Sequence, residues 1–301
     1  MPDLLLLLPD FLLITAGFAL CRWTSLDRPV WSSVERLVYY LLFPVLLFNS
    51  ISRSQLRPGE TLALAGAGVA VLLSGVLLAY ALRLWPGIHA QNHASGAQVA
   101  FRFNSFVALA LAERLQGAQG VAWIALLIAL CVPLANVAAV WPLARHGGHG
   151  YLRELVRNPL IVSTVLGLAA NLSGLRLPEP AAVSLQKIGV AALPLGLMAV
   201  GAGLRFGALR DAPGLAGALL FIRHAALPLV ALGLIHMLAL PAAQASMLMA
   251  FAALPTASSS YVLAVRMGGN GPFVAGLITL STLLGMVSLP LWLLVQTQWP
   301  A

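Results

Sequence analysis

Two stretches of the sequence place polar side chains inside long apolar segments, where they could bind a ligand. The first is "FRFNS" at residues 101–105, and the second is "LPTASSSY" at residues 254–261. Proline removes a helical hydrogen bond, and Ser, Thr and Asn compete for neighbouring backbone groups. We therefore expect both helices to be broken here, with the freed backbone groups buried in protein or lining a watery cavity.

Each predicted break starts a new half-helix, and a helix N-terminus attracts negative charge. Asn104 is suited to cap a half-helix that begins at Ser105, and Pro255 is suited to the first turn of the other. Arg102 lies two residues before Asn104 and would add a full positive charge. The pattern predicts a site for a small anion. Its candidate binding residues are Arg102, Asn104, Ser105, Pro255, Thr256, Ser258, Ser259 and Ser260.

Other interpretations of these residues remain open. A proline kink occurs in many membrane helices without a ligand, and Arg102 could instead extend to the cytoplasmic interface. A hydrolase would use a serine of 258–260 with His224 or His236, but no serine-centred glycine motif accompanies them. Arg223 and His224 are expected at the cytoplasmic start of their segment, in a capping or lipid-facing role. The two histidines of "RHGGHGYLRE" lack a third ligand, so no metal site and no cofactor is predicted.

The composition identifies the elements that must position these residues. The chain has 301 residues, of which 60% are hydrophobic and 9% charged, and its mean hydropathy is +0.92. Such values indicate an all-α, multi-pass membrane protein. Its net charge of +8 comes from basic residues at segment ends, so nucleic acid is not an expected partner. We read ten membrane segments, the first a span and not a signal peptide, at 4–21, 36–52, 61–82, 97–112, 120–142, 159–175, 188–204, 214–235, 243–265 and 272–295.

The distribution of basic residues predicts the orientation. Basic residues near membrane segments favour the cytoplasmic side. Ten follow odd-numbered segments, namely Arg22, Arg28, Arg36, Arg83, Arg145, Arg153, Arg157, Arg205, Arg210 and Arg266. Five follow even-numbered segments, namely Arg53, Arg57, Arg114, Arg176 and Lys187. We therefore expect both termini outside the cytoplasm and the 143–158 loop inside it.

Matching landmarks indicate an internal repeat. Pro44 and Pro194 are 150 positions apart, and Asn104 and Thr256 are 152 apart. A repeat of five segments enters the membrane from opposite sides in its two copies, so it is inverted. We expect a first repeat at 1–142, a connecting loop at 143–158 and a second repeat at 159–301.

Four stretches in this order carry a resemblance to a known family. They are "LVYYLLFPVLLFNSI", "FRFNSFVALALAERL", "RNPLIVSTVLGLAANLSGLRLP" and "LPTASSSYVLAVRMGG". The chain resembles the auxin efflux carriers in their short bacterial form, which are related in fold to bile-acid sodium symporters. The resemblance implies ten helices, with helices 1, 2, 6 and 7 as a dimerising scaffold. Helices 3–5 and 8–10 would form a transport domain in which broken helices 4 and 9 cross.

The same resemblance implies a function. It implies a secondary transporter in the bacterial inner membrane, surrounded by lipid, homodimeric and moving a small organic anion by alternating access. Plant members carry indole-3-acetate and have prolines at both crossings, whereas Asn104 and Ser105 stand at the first one here. Auxin is therefore not the expected substrate, and the resemblance to bacterial members implies a small carboxylate such as malate or malonate. An ion-coupled cation exchanger of related fold is the alternative, and it would need a carboxylate at the crossing, where the sequence has none.

Overall fold

The computed structural model describes residues 8–53, 58–143, 159–175, 177–204, 212–257 and 259–299. Regular structure within these ranges is helical throughout, as the composition predicts. The first α-helices are α1 Leu8–Trp23, α2 Arg28–Leu37, α3 Phe43–Arg53, α4 Pro58–Ala81, α5 Ala90–Gly96, α6 Gln98–Phe101 and α7 Ser105–Leu143. The later ones are α8 Pro159–Leu172, α9 Glu179–Val190, α10 Ala192–Ala202, α11 Pro213–Phe221, α12 Leu227–Met237, α13 Ala242–Ala253, α14 Ser259–Arg266 and α15 Gly271–Gln298. π-Helical turns at Val38–Leu42 and Ile222–Ala226 join α2 to α3 and α11 to α12.

Six helical stretches in the described part of the chain are long and apolar enough to cross a membrane. They are Arg28–Asn49, Thr61–Leu84, Ala90–Leu143, Glu179–Ala202, Pro213–Met237 and Gly271–Gln298, and α13 and residues 12–23 form shorter apolar helices. The multi-pass class is therefore confirmed, whereas the number of ten spans remains a prediction. The 143–158 loop, apart from its first residue, lies outside the described residues.

Several helices begin earlier than hydropathy predicts. The second, fourth and seventh segments were expected from 36, 97 and 188, but their helices begin at Arg28, Ala90 and Glu179. Each early part is polar, as in "RPVWSSVERL" of α2. Hydropathy detects only the apolar portion of a span, so polar first turns escape it.

Helix α7 contains the end of the fourth predicted segment and the whole of the fifth, with one interruption. Gly117 interrupts α7 with φ of 55° and ψ of −145°. Residues with a side chain rarely adopt this conformation, and glycine adopts it freely. The chain therefore has a kink at Gly117, which separates two helical parts of α7.

The described chain divides into two compact units. The first comprises residues 1–61, 106–129 and 151–203. In this unit α1 packs closely on α10, because a Cβ atom at Gly17 or Gly201 would meet the backbone of the opposite helix. Small residues of this kind let membrane helices approach closely. An ion pair joins Arg28 to Glu35 at 2.9 Å.

The second unit comprises residues 62–105, 130–150 and 204–301, and it contains both predicted breaks. Residues 247–253 of α13 are all buried, and α13 packs against α12 and α15. The Tyr80 hydroxyl donates to the carbonyl of Ala138, and Trp292 Nε1 donates to the carbonyl of His224 at 2.8 Å. These contacts hold the helices that surround the breaks.

Candidate functional site

Both predicted breaks are present. Residues 102–104 separate α6 from α7, and non-helical residues 254–257 follow the end of α13. Arg102 has φ of −75° and ψ of 144°, and Leu254 has φ of −56° and ψ of 146°. The backbone therefore leaves α6 and α13 in the same extended conformation, at two positions that are 152 residues apart.

The half-helix after the first break begins at Ser105, as predicted. The prediction for Pro255 was wrong, because α14 begins at Ser259 and Pro255 lies four residues before it. Proline disfavours helical geometry in the preceding residue, and Leu254 is extended accordingly. Pro255 thus ends α13 and does not open α14.

The two breaks meet at one point of the second unit. The backbone N–H of Asn104 donates to the carbonyl of Pro255 at 2.9 Å. Next to this bond, the rings of Phe103 and Phe251 pack edge to face with centroids 4.7 Å apart. Asn104 is 4% exposed, so this crossing is interior. We use "crossing" below for residues 102–105 and 254–260.

Two buried hydroxyl groups at the crossing have no partner among the described residues. Thr256 and Ser260 are both 0% exposed, and neither side-chain oxygen is hydrogen-bonded. The backbone N–H of Thr256 does have a partner, the Ser281 Oγ at 3.0 Å. Buried polar groups are rarely left unsatisfied, because each costs free energy. These hydroxyls can therefore pair with a ligand or with water.

Arg102 extends across the crossing to the start of α14. Its Nη2 donates to Ser259 Oγ and its Nη1 to Gln98 Oε1, each at 3.1 Å. Gln98 in turn donates through Nε2 to the carbonyl of Ser260 at 3.1 Å. The guanidinium is thus held beside the N-terminal turn of α14, with Ser105 and Arg102 partly exposed and Ser259 exposed. Ser258 lies outside the described residues.

The arrangement gives the crossing a positive electrostatic character. Helices α7 and α14 both begin here, and the N-terminus of a helix carries a partial positive charge from the aligned peptide dipoles. Arg102 adds one full charge. A carboxylate fits this combination, because a guanidinium fork and backbone N–H groups both donate to its oxygens.

Arg223 and His224 correct a further expectation. They were placed at the cytoplasmic start of their segment, but they lie in the middle of Pro213–Met237 and are 2% and 8% exposed. His224 contacts Ser281 Oγ and Ser288 Oγ, each at 2.9 Å, and not Ser105, Ser259 or Ser260 among the described serines of the crossing. The sequence did contain a signal that Arg223 lies inside the membrane segment. Residue 223 is ten positions after Pro213, well within the apolar run.

Packing behind the crossing gives a testable prediction. A Cβ atom at Gly285 of α15 would lie 3.3 Å from Pro255 Cβ. We expect Gly285→Val to displace Pro255 and lower the free energy of unfolding by about 1–3 kcal/mol, because overpacking forces the backbone to shift. Gly233→Val is the control, since a Cβ atom there meets nothing within 4 Å. Equal melting temperatures of the two purified variants would contradict this packing.

Comparisons with known proteins show similarity to membrane transporters. A family model described as "Membrane transport protein" matches residues 145–293. An "Uncharacterized transporter" of Methanothermobacter thermautotrophicus is 26% identical over 297 residues, which cover 94% of this chain and 95% of that protein. A "Putative malonate transporter" of Rhizobium meliloti is 26% identical over 302 residues, covering 94% of this chain and 92% of that protein. The chain is therefore similar to membrane transport proteins, and both relatives are described as transporters.

Proposed function

We propose that the protein is a secondary active transporter that moves a small carboxylate across the membrane by alternating access. The observation that carries this proposal is the crossing itself. There the Asn104 N–H donates to the Pro255 carbonyl at 2.9 Å, beside the buried hydroxyls of Thr256 and Ser260, which have no partner among the described residues. Arg102 supplies the charge that selects an anion.

An inverted repeat of five helices would explain the crossing. Arg102 and Leu254 share one backbone conformation and are separated by the same 152 positions as Asn104 and Thr256. Transporters with inverted repeats place their substrate between two such discontinuous helices near the middle of the membrane. The repeat supports ten spans, with the crossing as the point that is exposed alternately to each side.

The size and charge of the substrate follow from the same residues. The donors at the crossing are one guanidinium, small hydroxyls and backbone N–H groups, which suit a compact anion. The name of the Rhizobium meliloti relative refers to malonate, a small dicarboxylate. We therefore expect substrates of this class, and we expect a homodimer in the bacterial inner membrane.

A paired ligand screen tests the proposed substrate class. Purified protein is heated with acetate, malonate, malate, succinate or indole-3-acetate, and with the neutral amide of each acid. We expect at least one small carboxylate to raise the melting temperature, because it binds only the folded state, while its amide does not. Equal stabilisation by acid and amide, or none by any acid, would contradict an anion site.

The orientation is tested separately, with cysteines placed in a variant that lacks Cys21 and Cys131. We expect Gly148→Cys, in the 143–158 loop, to resist a membrane-impermeant thiol reagent added to intact cells. Ala239→Cys should react, because Ala239 is exposed in the loop before α13, and the predicted topology puts this loop outside the cytoplasm. Labelling at 148 from outside would reverse the predicted topology.

A further inference from the structure

Arg223 places a guanidinium in the middle of an apolar helical stretch. It lies in the π-helical turn Ile222–Ala226 and is 2% exposed. A charge at such a position is costly unless it has partners. In the described ranges its partners include no carboxylate, and the ion pair found there joins Arg28 to Glu35. The compensation for its charge must come from another kind of group.

That group is the carbonyl end of α13. Arg223 Nε donates to the carbonyl of Leu254 at 2.5 Å, and Nη2 donates to those of Phe251 and Ala252 at 3.2 Å each. Helix α13 ends at Ala253, so its last carbonyls lack the donors of a following turn and carry the negative end of the helix dipole.

The sequence of the break explains why these carbonyls need an external donor. The carbonyl of Phe251 would ordinarily accept from residue 255, but Pro255 has no N–H. The carbonyl of Ala252 would accept from Thr256, whose N–H instead donates to Ser281 Oγ. The break therefore creates a cluster of unpaired oxygens, and the guanidinium fork of Arg223 fills it.

In transporters with discontinuous helices, carbonyls at the end of a half-helix coordinate the coupling cation. We propose that Arg223 is a tethered cation, which holds the carbonyl end of α13 in place of a dissociable metal ion. Arginine stays protonated in proteins, so this charge remains throughout the transport cycle. The inference goes beyond the proposed substrate, and its test uses no transported molecule, so either proposal can fail without the other.

The first measurement is made on wild-type protein. Its melting temperature in detergent is compared in sodium chloride and in choline chloride of equal ionic strength. We expect no difference, because the carbonyl cluster already holds its cation. A clear stabilisation by sodium would overturn the proposal. Because this comparison uses wild-type protein, it tests the proposal even if every variant fails to fold.

The second measurement removes the side chain. We expect Arg223→Ala to lower the melting temperature by about 5 °C or more, because the carbonyls lose their donors. About 10 mM methylguanidinium chloride or sodium chloride should restore part of the loss, since a cation bound only to the folded state stabilises it, while choline chloride should not. Arg83→Ala removes an exposed arginine and is the control. The same response to these salts in both variants would overturn the proposal.

Two conservative variants separate charge from volume. Arg223→Lys keeps a cation at the cluster, whereas Arg223→Met fills the space without charge. We expect the lysine variant to melt above the methionine variant and to ignore sodium. A methionine variant as stable as the lysine variant would mean that packing alone matters here, and would overturn the proposal.

Discussion

Arg102→Gln is expected to weaken carboxylate binding by about tenfold to a hundredfold. Hydrogen bonds to charged groups contribute about 1.5–3 kcal/mol, and each 1.4 kcal/mol is a factor of ten in affinity. Arg102 already lies beside the start of α14 through its bond to Ser259 Oγ at 3.1 Å. Arg102→Lys keeps the charge but loses the fork, so we expect intermediate binding. Isothermal titration with the carboxylate selected by the paired screen measures the effect.

Arg114→Gln is the control for this variant. Arg114 is an exposed arginine of α7, outside the crossing, so its replacement should leave the affinity unchanged. The alternative in which Arg102 only extends to the interface predicts normal binding for Arg102→Gln. Normal binding in folded Arg102→Gln protein would leave the helix N-termini as the only source of positive charge.

Thr256→Val is expected to separate binding from stability. The Thr256 hydroxyl is fully buried and has no partner among the described residues, so its removal costs the folded protein nothing and should even stabilise it. If the hydroxyl donates to the substrate, its loss weakens binding by about 1.4 kcal/mol, roughly tenfold. We therefore expect an unchanged or higher melting temperature together with lower affinity.

Thr297→Val provides the matched control on a residue away from the crossing. Its hydroxyl is exposed and donates to the carbonyl of Leu294 at 2.8 Å. This variant should bind the carboxylate like wild type. If Thr256→Val also binds like wild type, Thr256 has only a structural role and the site must use other donors.

The positions of the breaks could be predicted from the sequence because their cause is local. Proline and short polar side chains disrupt a helix wherever they stand, so 102–104 and 254–257 were found without tertiary information. The start of α7 at Ser105 followed from the same signals. That the breaks meet followed from the repeat and the family resemblance, and the bond from Asn104 to Pro255 agrees with it.

The role of Pro255 was mispredicted for a related reason. A proline suits the first turn of a helix because its missing N–H is not needed there. The same property suits an extended residue ahead of the helix, and the sequence does not distinguish these two places. Tertiary contacts decided between them, since Pro255 packs against Gly285 and accepts from Asn104.

The function of Arg223 could not be predicted from neighbouring residues. Its partners are backbone carbonyls 28 to 31 positions away in α13 and just after it. Every residue has a backbone carbonyl, so such partners cannot be recognised from the residue types in the sequence. Likewise, the sequence does not show that the Thr256 and Ser260 hydroxyls lack a partner among the described residues, because this depends on tertiary contacts.

Solute counterflow tests the central claim most directly. Liposomes containing the purified protein are loaded with the unlabelled carboxylate chosen by the screen and diluted into a trace of the labelled compound. Wild-type protein and Arg114→Gln should accumulate the label transiently, because an alternating-access carrier exchanges substrate across the membrane, and Arg102→Gln should not. Absence of accumulation by wild-type protein, or equal accumulation by Arg102→Gln, would contradict carboxylate transport through this crossing.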